Sequence, residues 1–294
     1  MPPKVPLYTE QQLRDVSLPT HGGRYAVVPH GEVIDEVKRE LAKAGLHINK
    51  EVYKMTTDGQ VAQGIYHLAH TGGNLDMGMM FAWSNSYNKT MRFKCGIGAY
   101  VFICSNGVLR GDMGNYSRKH SGTAHADVMN QIRDQISKAT EHYTMLVKDK
   151  QMLENVILTP KDKGRILGEL FAHDEILTLT QVGIVKREID KPSHKYSNHP
   201  DSAWDMYNHV TLALKESHPG SYMSDHQKLH QYFVNQYGQL VTVQVDPKED
   251  PLEPEVEEIP PTNLEPVGSD FDIDHSFYPD TEAKEENVFG VNFV

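Results

Sequence analysis

Cysteine is nearly absent from this chain, which has two cysteines, Cys95 and Cys104, among its 294 residues. Two thiols cannot build the disulfide framework of a small secreted domain or the four-cysteine cluster of a zinc ribbon. So few cysteines are typical of a protein in a reducing compartment. We therefore expect the chain to work in the cytoplasm of a bacterial or virus-infected cell.

Long apolar segments are also missing. No apolar run approaches the roughly 20 residues that span a bilayer, and the N-terminal residues lack the apolar centre of a signal peptide. Neither Gly72-Gly73 nor the pair Gly96 and Gly98 belongs to a P-loop or a GxGxxG fingerprint. The sequence therefore predicts no membrane span, no secretion and no cofactor.

Negative charge is concentrated at one end of the chain. Residues 245–294 contain 15 of the 40 acidic residues and two of the 29 basic ones, a net charge of −13. The remaining 27 basic and 25 acidic residues give the preceding body a charge of +2, although the whole chain carries −11. Such asymmetry is typical of a charged interaction tail attached to a nearly neutral body.

The predicted elements divide the chain into four parts. Residues 1–23 are expected to form an extended N-terminal arm and residues 24–158 an α+β core. Residues 159–244 are expected to form a helical region packing on the core, and residues 245–294 a largely disordered acidic tail. Within the core, β-like runs separated by turn residues indicate an antiparallel β meander packed with a long helix. The predicted fold class is therefore α+β.

Local signals place the elements within these parts. Apolar residues at helical spacing predict helices over residues 32–44 and 124–146. Asp58-Gly59 is a strong signal for a β-hairpin. The second half is expected to hold four helices, which begin near Thr159, Asp174, Ser202 and Ser224.

Four motifs resemble a known family. They are SNSYNK at 84–89, AYVFICSNGVLRG at 99–111, RKHS at 118–121 and SAWDMYNHVTLALKESHP at 202–219. Together they resemble the phage/plasmid-like proteins that carry domain of unknown function 932, over roughly residues 20–240. The resemblance implies an origin in a phage, prophage or other mobile element. It implies no reaction, because no activity is established for that family.

The resemblance extends to individual residues within the motifs. These are Ser84, Asn85, Ser86 and Lys89, then Cys104 and Asn106, then Arg118, Lys119 and His120, and finally Trp204, Tyr207 and Asn208. Ser121 stands where the family more usually has threonine.

Basic residues cluster between positions 84 and 120 and suggest a nucleic-acid interface. We expect the meander to bring them to one rim of the sheet, where they could bind phosphates while aromatic residues stack on bases. The alternative is an ordinary solvated edge with core aromatics. The candidate residues are Lys89, Arg92, Lys94, Arg110, Arg118, Lys119, His120 and Tyr87.

Three other kinds of site have weaker support. His120, His125 and Asp127 with Asp112 could bind a metal, although no known ligand spacing is present. His226 and His230 have the spacing of two zinc ligands, but solvated histidines on an amphipathic helix explain it as well. Cys104 could be a nucleophile, but its place after an apolar run favours a buried thiol.

The acidic tail is punctuated by aromatic residues, which would favour docking on a partner over exposure to water. The tail aromatics considered are Phe271, Phe277, Tyr278, Phe289 and Phe293. Our first functional hypothesis is a homo-oligomeric, single-stranded-DNA-binding accessory protein that would serve annealing or recombination. Its tail would recruit replication, recombination or host proteins. Alternatives are a host-takeover or anti-defence protein that binds other proteins, and a metal-dependent nuclease.

Overall fold

A five-stranded antiparallel sheet forms the centre of the protein. The computed structural model describes residues 6–20, 27–69, 76–103, 106–109 and 124–241. The strands follow one another across the sheet in chain order, as in a simple meander. They are β1 (Ile48–Met55), β2 (Val61–Leu68), β3 (Met77–Ser86), β4 (Lys94–Val101) and β5 (Gly107–Leu109). The predicted meander is confirmed.

Helices surround the sheet and make up the second half of the described chain. They are α1 (Glu10–Arg14), α2 (His30–Lys43), α3 (Ala124–Ser137), α4 (Ala139–Glu154), α5 (Pro160–Gly168), α6 (Leu179–Asp190), α7 (Ala203–Leu214) and α8 (Tyr222–Val241). A π-helical turn, Glu169–His173, continues α5. None of these helices is long and apolar enough to cross a membrane. Together with the sheet they confirm the α+β fold class.

Both faces of the sheet are covered. Every residue of β2 and β3 is buried, so these strands do not alternate between buried and exposed positions. Such continuous burial is typical of a sheet covered on both faces. Helices α2 and α3 pack over one face, where Trp83 and Tyr66 form part of the core. Helix α8 covers part of the other face, and its Tyr222 reaches the sheet at Gly107.

The long helix predicted over residues 124–146 is two helices. The backbone of Lys138 leaves the helical region, with φ −99° and ψ 11°, so α3 ends at Ser137 and α4 continues to Glu154. The side-chain hydroxyl of Ser137 donates to the carbonyl of Asp134 at 2.8 Å, as serine does at helix ends. The apolar stripe runs through the break, and therefore the periodicity did not reveal it.

Two boundaries also differ from the sequence prediction. The N-terminal arm includes α1, whose first turn is closed by a capping box between Thr9 and Gln12. The helix expected to begin near Asp174 begins at Leu179, and its cap is Thr178 rather than Asp174. In both cases a threonine–glutamine pair three residues apart marks the observed start.

The turns of the meander lie alternately at opposite ends of the sheet. The β1–β2 turn and the β3–β4 turn share one end, because β1 and β3 are both antiparallel to β2 and so run in the same direction. The β4–β5 connection, which contains Asn106, lies at the other end. The first motif and Asn106 of the second motif therefore lie at opposite ends of the sheet, whereas the expectation that the basic residues share one rim stays a prediction. Arg110, Arg118, Lys119 and His120 lie outside the described residues.

Candidate nucleic-acid interface

Three connections meet at one end of the sheet, which we call the hairpin end. They are the β1–β2 turn (residues 56–60), the β3–β4 turn (residues 87–93) and the α7–α8 loop (residues 215–221). The loop is held against the sheet by two hydrogen bonds to its carbonyls. Lys54 Nζ donates to Lys215 O at 2.7 Å, and Ser84 Oγ donates to Pro219 O at 3.0 Å.

The β1–β2 turn is the predicted hairpin and presents a carboxylate. Gly59 has φ +69°, the left-handed conformation that glycine adopts without strain. Asp58 Oδ1 accepts hydrogen bonds from Thr56 Oγ1 at 2.6 Å and from the Gln60 amide at 3.0 Å. The bond from Thr56, and then that from Gln60, lowers the pKa of Asp58. The exposed Asp58 side chain is therefore ionised at neutral pH.

The β3–β4 turn presents two cations. Asn88 Oδ1 accepts from the Thr90 amide at 3.1 Å and from Thr90 Oγ1 at 2.6 Å, which orders the turn. Lys89 adopts φ +64°, an uncommon conformation for a residue other than glycine. The side chains of Lys89 and Arg92 are both exposed. The turn therefore holds two positive charges at the hairpin end.

A cavity of about 630 Å³ opens among the three connections. Most of its lining residues are polar by type, but apolar atoms, including those of Val61 and Met91, supply most of the exposed lining surface. The lining residues are Thr56, Thr57, Asp58, Val61, Asn88, Thr90, Met91, His218, Gly220 and Ser221. The volume lies within the range of small-molecule sites in proteins. The charges of Lys89 and Arg92 belong to the same turn as Asn88 and Thr90 but lie outside this lining.

Tyr87 and Lys94, two of the predicted nucleic-acid-binding residues, lie further inside. Tyr87 is 1% exposed, and its ring stacks on His30 with the centroids 3.9 Å apart. It is a core residue here, as the alternative interpretation proposed, and is not placed to stack on a base. Lys94 is partly buried, and burial lowers its pKa. Of the predicted cations described at this end, Lys89 and Arg92 have exposed side chains.

The rest of the first motif connects the N-terminal segment to the hairpin. Asn85 Nδ2 donates to Val28 O at 2.8 Å and to His30 Nδ1 at 3.0 Å. Because an amide nitrogen only donates, His30 Nδ1 must accept, and its Nε2–H donates to Gly59 O at 3.1 Å. Burial lowers the pKa of His30 to about 4 and so favours the neutral ring. No motif or periodicity in the sequence marks His30 as a residue that joins these segments.

The second and fourth motifs meet inside the protein. Asn106 Nδ2 donates to Asn208 O at 3.0 Å, and Asn208 Nδ2 donates to Trp204 O at 2.9 Å. Trp204 stacks on Tyr207 with the ring centroids 5.4 Å apart. All four residues are buried, so these positions join the end of the sheet to α7. Cys104 lies outside the described residues.

The metal-binding candidates are not brought together among the described residues. His125 Nε2 lies 2.6 Å from Glu32 Oε2 in an exposed pair, while His120 and Asp112 lie outside the described residues. Across the described chain, no group of three histidine, cysteine, aspartate or glutamate side chains is placed to hold a metal ion.

His226 and His230 are not the solvated histidines that the sequence suggested. Both are buried, because this face of α8 packs against the sheet and against α7. His230 Nε2 lies 3.0 Å from Asp149 Oδ2. The ring of His226 lies beside the Gly107 backbone. Burial lowers the pKa of His226, and a hydrogen bond to that backbone partly offsets the lowering.

A polar row crosses the sheet beneath the α7–α8 loop. Strand register places Lys54, Gln63, Ser84 and Lys94 side by side on β1 to β4. Gln63 is fully buried, and neither atom of its amide has a hydrogen-bond partner among the described residues. A buried amide without a partner costs about 1–3 kcal/mol.

We expect the Gln63→Met substitution to stabilise the protein. It replaces the buried amide with an apolar side chain of similar volume, and the gain should be about 1–2 kcal/mol in the free energy of unfolding. Chemical denaturation measures it. Gln181→Met is the matched control, because the buried Gln181 amide donates to Ser217 Oγ at 3.0 Å and its loss should be destabilising. A loss of stability in Gln63→Met would show that this amide is bonded.

Comparison with known proteins identifies the family of the chain. The profile of a family described as a domain of unknown function (DUF932) matches residues 17–233. No curated protein and no solved structure matches the chain. The match covers well over half of the 294 residues and includes all four motifs. The chain therefore belongs to the DUF932 family.

Proposed function

We propose that this DUF932 protein binds single-stranded DNA in the cytoplasm of a bacterial host, as an accessory factor of a phage or other mobile element. The observation that supports the proposal is the pair of exposed cations, Lys89 and Arg92, on one turn beside an open cavity. Lysine and arginine bind backbone phosphates without reading sequence. The phosphate contacts at this end would carry no sequence preference of their own.

The small net charge of the body, residues 1–244, suggests that tight binding needs several copies of the protein. A body with a net charge of +2 attracts DNA weakly, so one copy with two cations on a turn would bind poorly. Several copies on the same strand multiply the contacts and raise the affinity. Homo-oligomerisation on single-stranded DNA is therefore part of the proposal, and annealing or recombination is the kind of process it would serve.

The acidic tail supports a second proposal, in which the chain acts on host proteins. Residues 245–294 carry a charge of −13 and the aromatic residues already named. Such a segment fits a partner with a basic, partly apolar surface. In the first proposal the tail recruits replication or recombination proteins, and in the second it captures a host factor that the phage must control.

The double variant Lys89→Glu/Arg92→Glu tests the first proposal. We expect its affinity for a single-stranded oligonucleotide to fall about tenfold or more near 0.1 M salt. The slope of log K against log salt should also become shallower by about 1.4, which is roughly 0.7 for each lost phosphate contact. Fluorescence anisotropy over a salt series measures both quantities.

A matched pair of cations provides the control. Lys186 and Arg187 are exposed on α6 and have the same chemistry as the turn pair. Lys186→Glu/Arg187→Glu should leave the affinity within about twofold of the original. Equal losses in the two double variants would mean that net charge, and not the hairpin end, governs binding.

A further inference from the structure

We infer that the cavity at the hairpin end holds one amino-bearing nucleobase, turned out of a strand whose phosphates contact Lys89 and Arg92. This inference rests on the proposed function, because it names the part of the DNA that the cavity receives. Single-stranded nucleic acid can present its bases in this way, since they are not held in a duplex.

The cavity lining and the neighbouring turn carry charges of opposite sign. Inside it lies the carboxylate of Asp58, while Lys89 and Arg92 lie outside the lining. A phosphate inside would face the carboxylate and be repelled by it, whereas a phosphate outside would meet the two cations. A nucleotide satisfies both conditions when its phosphate stays at the β3–β4 turn and its uncharged base enters the cavity.

The polar groups of the cavity match the edge of an amino-bearing base. Asp58 Oδ1 already accepts from Thr56 and Gln60, and an ionised carboxylate has a second oxygen that accepts hydrogen bonds. A carboxylate is the usual acceptor for the exocyclic amine of cytosine. Thymine has no exocyclic amine. Cytosine, adenine and guanine therefore fit the Asp58 side of the cavity better than thymine.

Asn88 and His218 line the cavity from the other two connections, and each side chain has a donor. Asn88 Oδ1 accepts from Thr90, so the amide nitrogen of Asn88 remains as the donor. His218 Nδ1 accepts from the Gly220 amide at 3.0 Å, which places the proton of the neutral ring on Nε2. These donors suit the ring nitrogen and carbonyl acceptors of a base. Val61 and Met91 provide an apolar surface for its flat face.

The test compares oligo-dC with oligo-dT of equal length, bound by the full-length protein and by Asp58→Asn. We expect the original protein to bind oligo-dC at least about fivefold more tightly than oligo-dT. Asparagine preserves the turn, because Asn-Gly suits a hairpin as well as Asp-Gly. It replaces an acceptor with a donor, and the ratio of affinities should fall to about one or below.

Control variants and outcomes separate the inference from the proposed function. Asp190→Asn removes an exposed carboxylate on α6 and should keep the preference for oligo-dC. Equal binding of the two oligonucleotides by the original protein would overturn the cavity assignment alone. A preference that persists in Asp58→Asn would also overturn it. Absence of binding to either oligonucleotide at low salt would overturn the proposed function and the assignment with it.

Discussion

Acidification from pH 7 to pH 4.5 is expected to destabilise the fold steeply. Burial lowers the pKa of His30 to about 4, that of His67 to about 4 and that of His226 to about 3. For His226, the nearby charge of Lys54 opposes protonation further. Each ring therefore stays neutral in the folded protein at a pH where the same ring takes up a proton in the unfolded chain.

The sign of the effect follows from proton uptake. Above the ordinary histidine pKa of 6.5, both states are neutral and these groups do not affect stability. Below it the unfolded chain binds more protons, so the free energy of unfolding falls until the pH reaches the folded-state pKa. At pH 4.5 each histidine lowers the free energy of unfolding by roughly 2 kcal/mol. Three such costs are comparable to the whole stability of an ordinary domain.

Thermal unfolding between pH 7.5 and pH 4.5 measures this dependence. His226→Leu removes one of the three groups and should make the decline in unfolding temperature shallower. The control is His47→Leu, which removes an exposed histidine and should leave the slope unchanged. If the unfolding temperature did not change from pH 6.5 to pH 4.5, protonation of these rings would not destabilise the fold, and the prediction would be wrong.

Deletion of residues 246–294 is expected to tighten binding to single-stranded DNA at least about tenfold at low salt. The deletion changes the net charge from −11 to +2, because the tail holds 15 acidic and two basic residues. Removing so much like charge weakens the repulsion between the protein and the DNA phosphates. Salt screens that repulsion, so the difference between the two proteins should shrink towards 1 M salt.

The tail aromatics provide the control for the deletion. Replacing Phe271, Phe277, Tyr278, Phe289 and Phe293 with serine in the full-length protein keeps the charge and should leave DNA affinity unchanged. No binding of DNA by the truncated protein at low salt would contradict the proposed function. If the full-length protein then captured a host protein that the truncated one did not, the second proposal would take its place.

Several elements were predictable because they depend on residues close in sequence. The Asp58-Gly59 hairpin formed as expected, since glycine takes the positive φ that the turn requires. Helix α2 and the caps at Thr159 and Ser202 also depend on local contacts. The α+β class followed from the order of these signals. In contrast, the break at Lys138 interrupts a stripe that is continuous in sequence.

The candidate site was only partly visible in the sequence. Lys89 and Arg92 were among the predicted contacts, and both are exposed. The cavity beside them was not foreseen, because it forms where the β1–β2 turn, the β3–β4 turn and the α7–α8 loop meet. His218 is 160 residues from Asp58 along the chain. No spacing rule connects residues so far apart.

The amino-acid sequence by itself determined the meander, the helical second half, the family and the separation of charge between body and tail. These depend on periodicity, turn chemistry, motifs and composition. Only the tertiary structure decided that the first two motifs lie at opposite ends of the sheet and that Tyr87 and His226 are buried. The physical reason is that strand direction reverses at every turn. Burial, in addition, depends on which helix covers each face of the sheet.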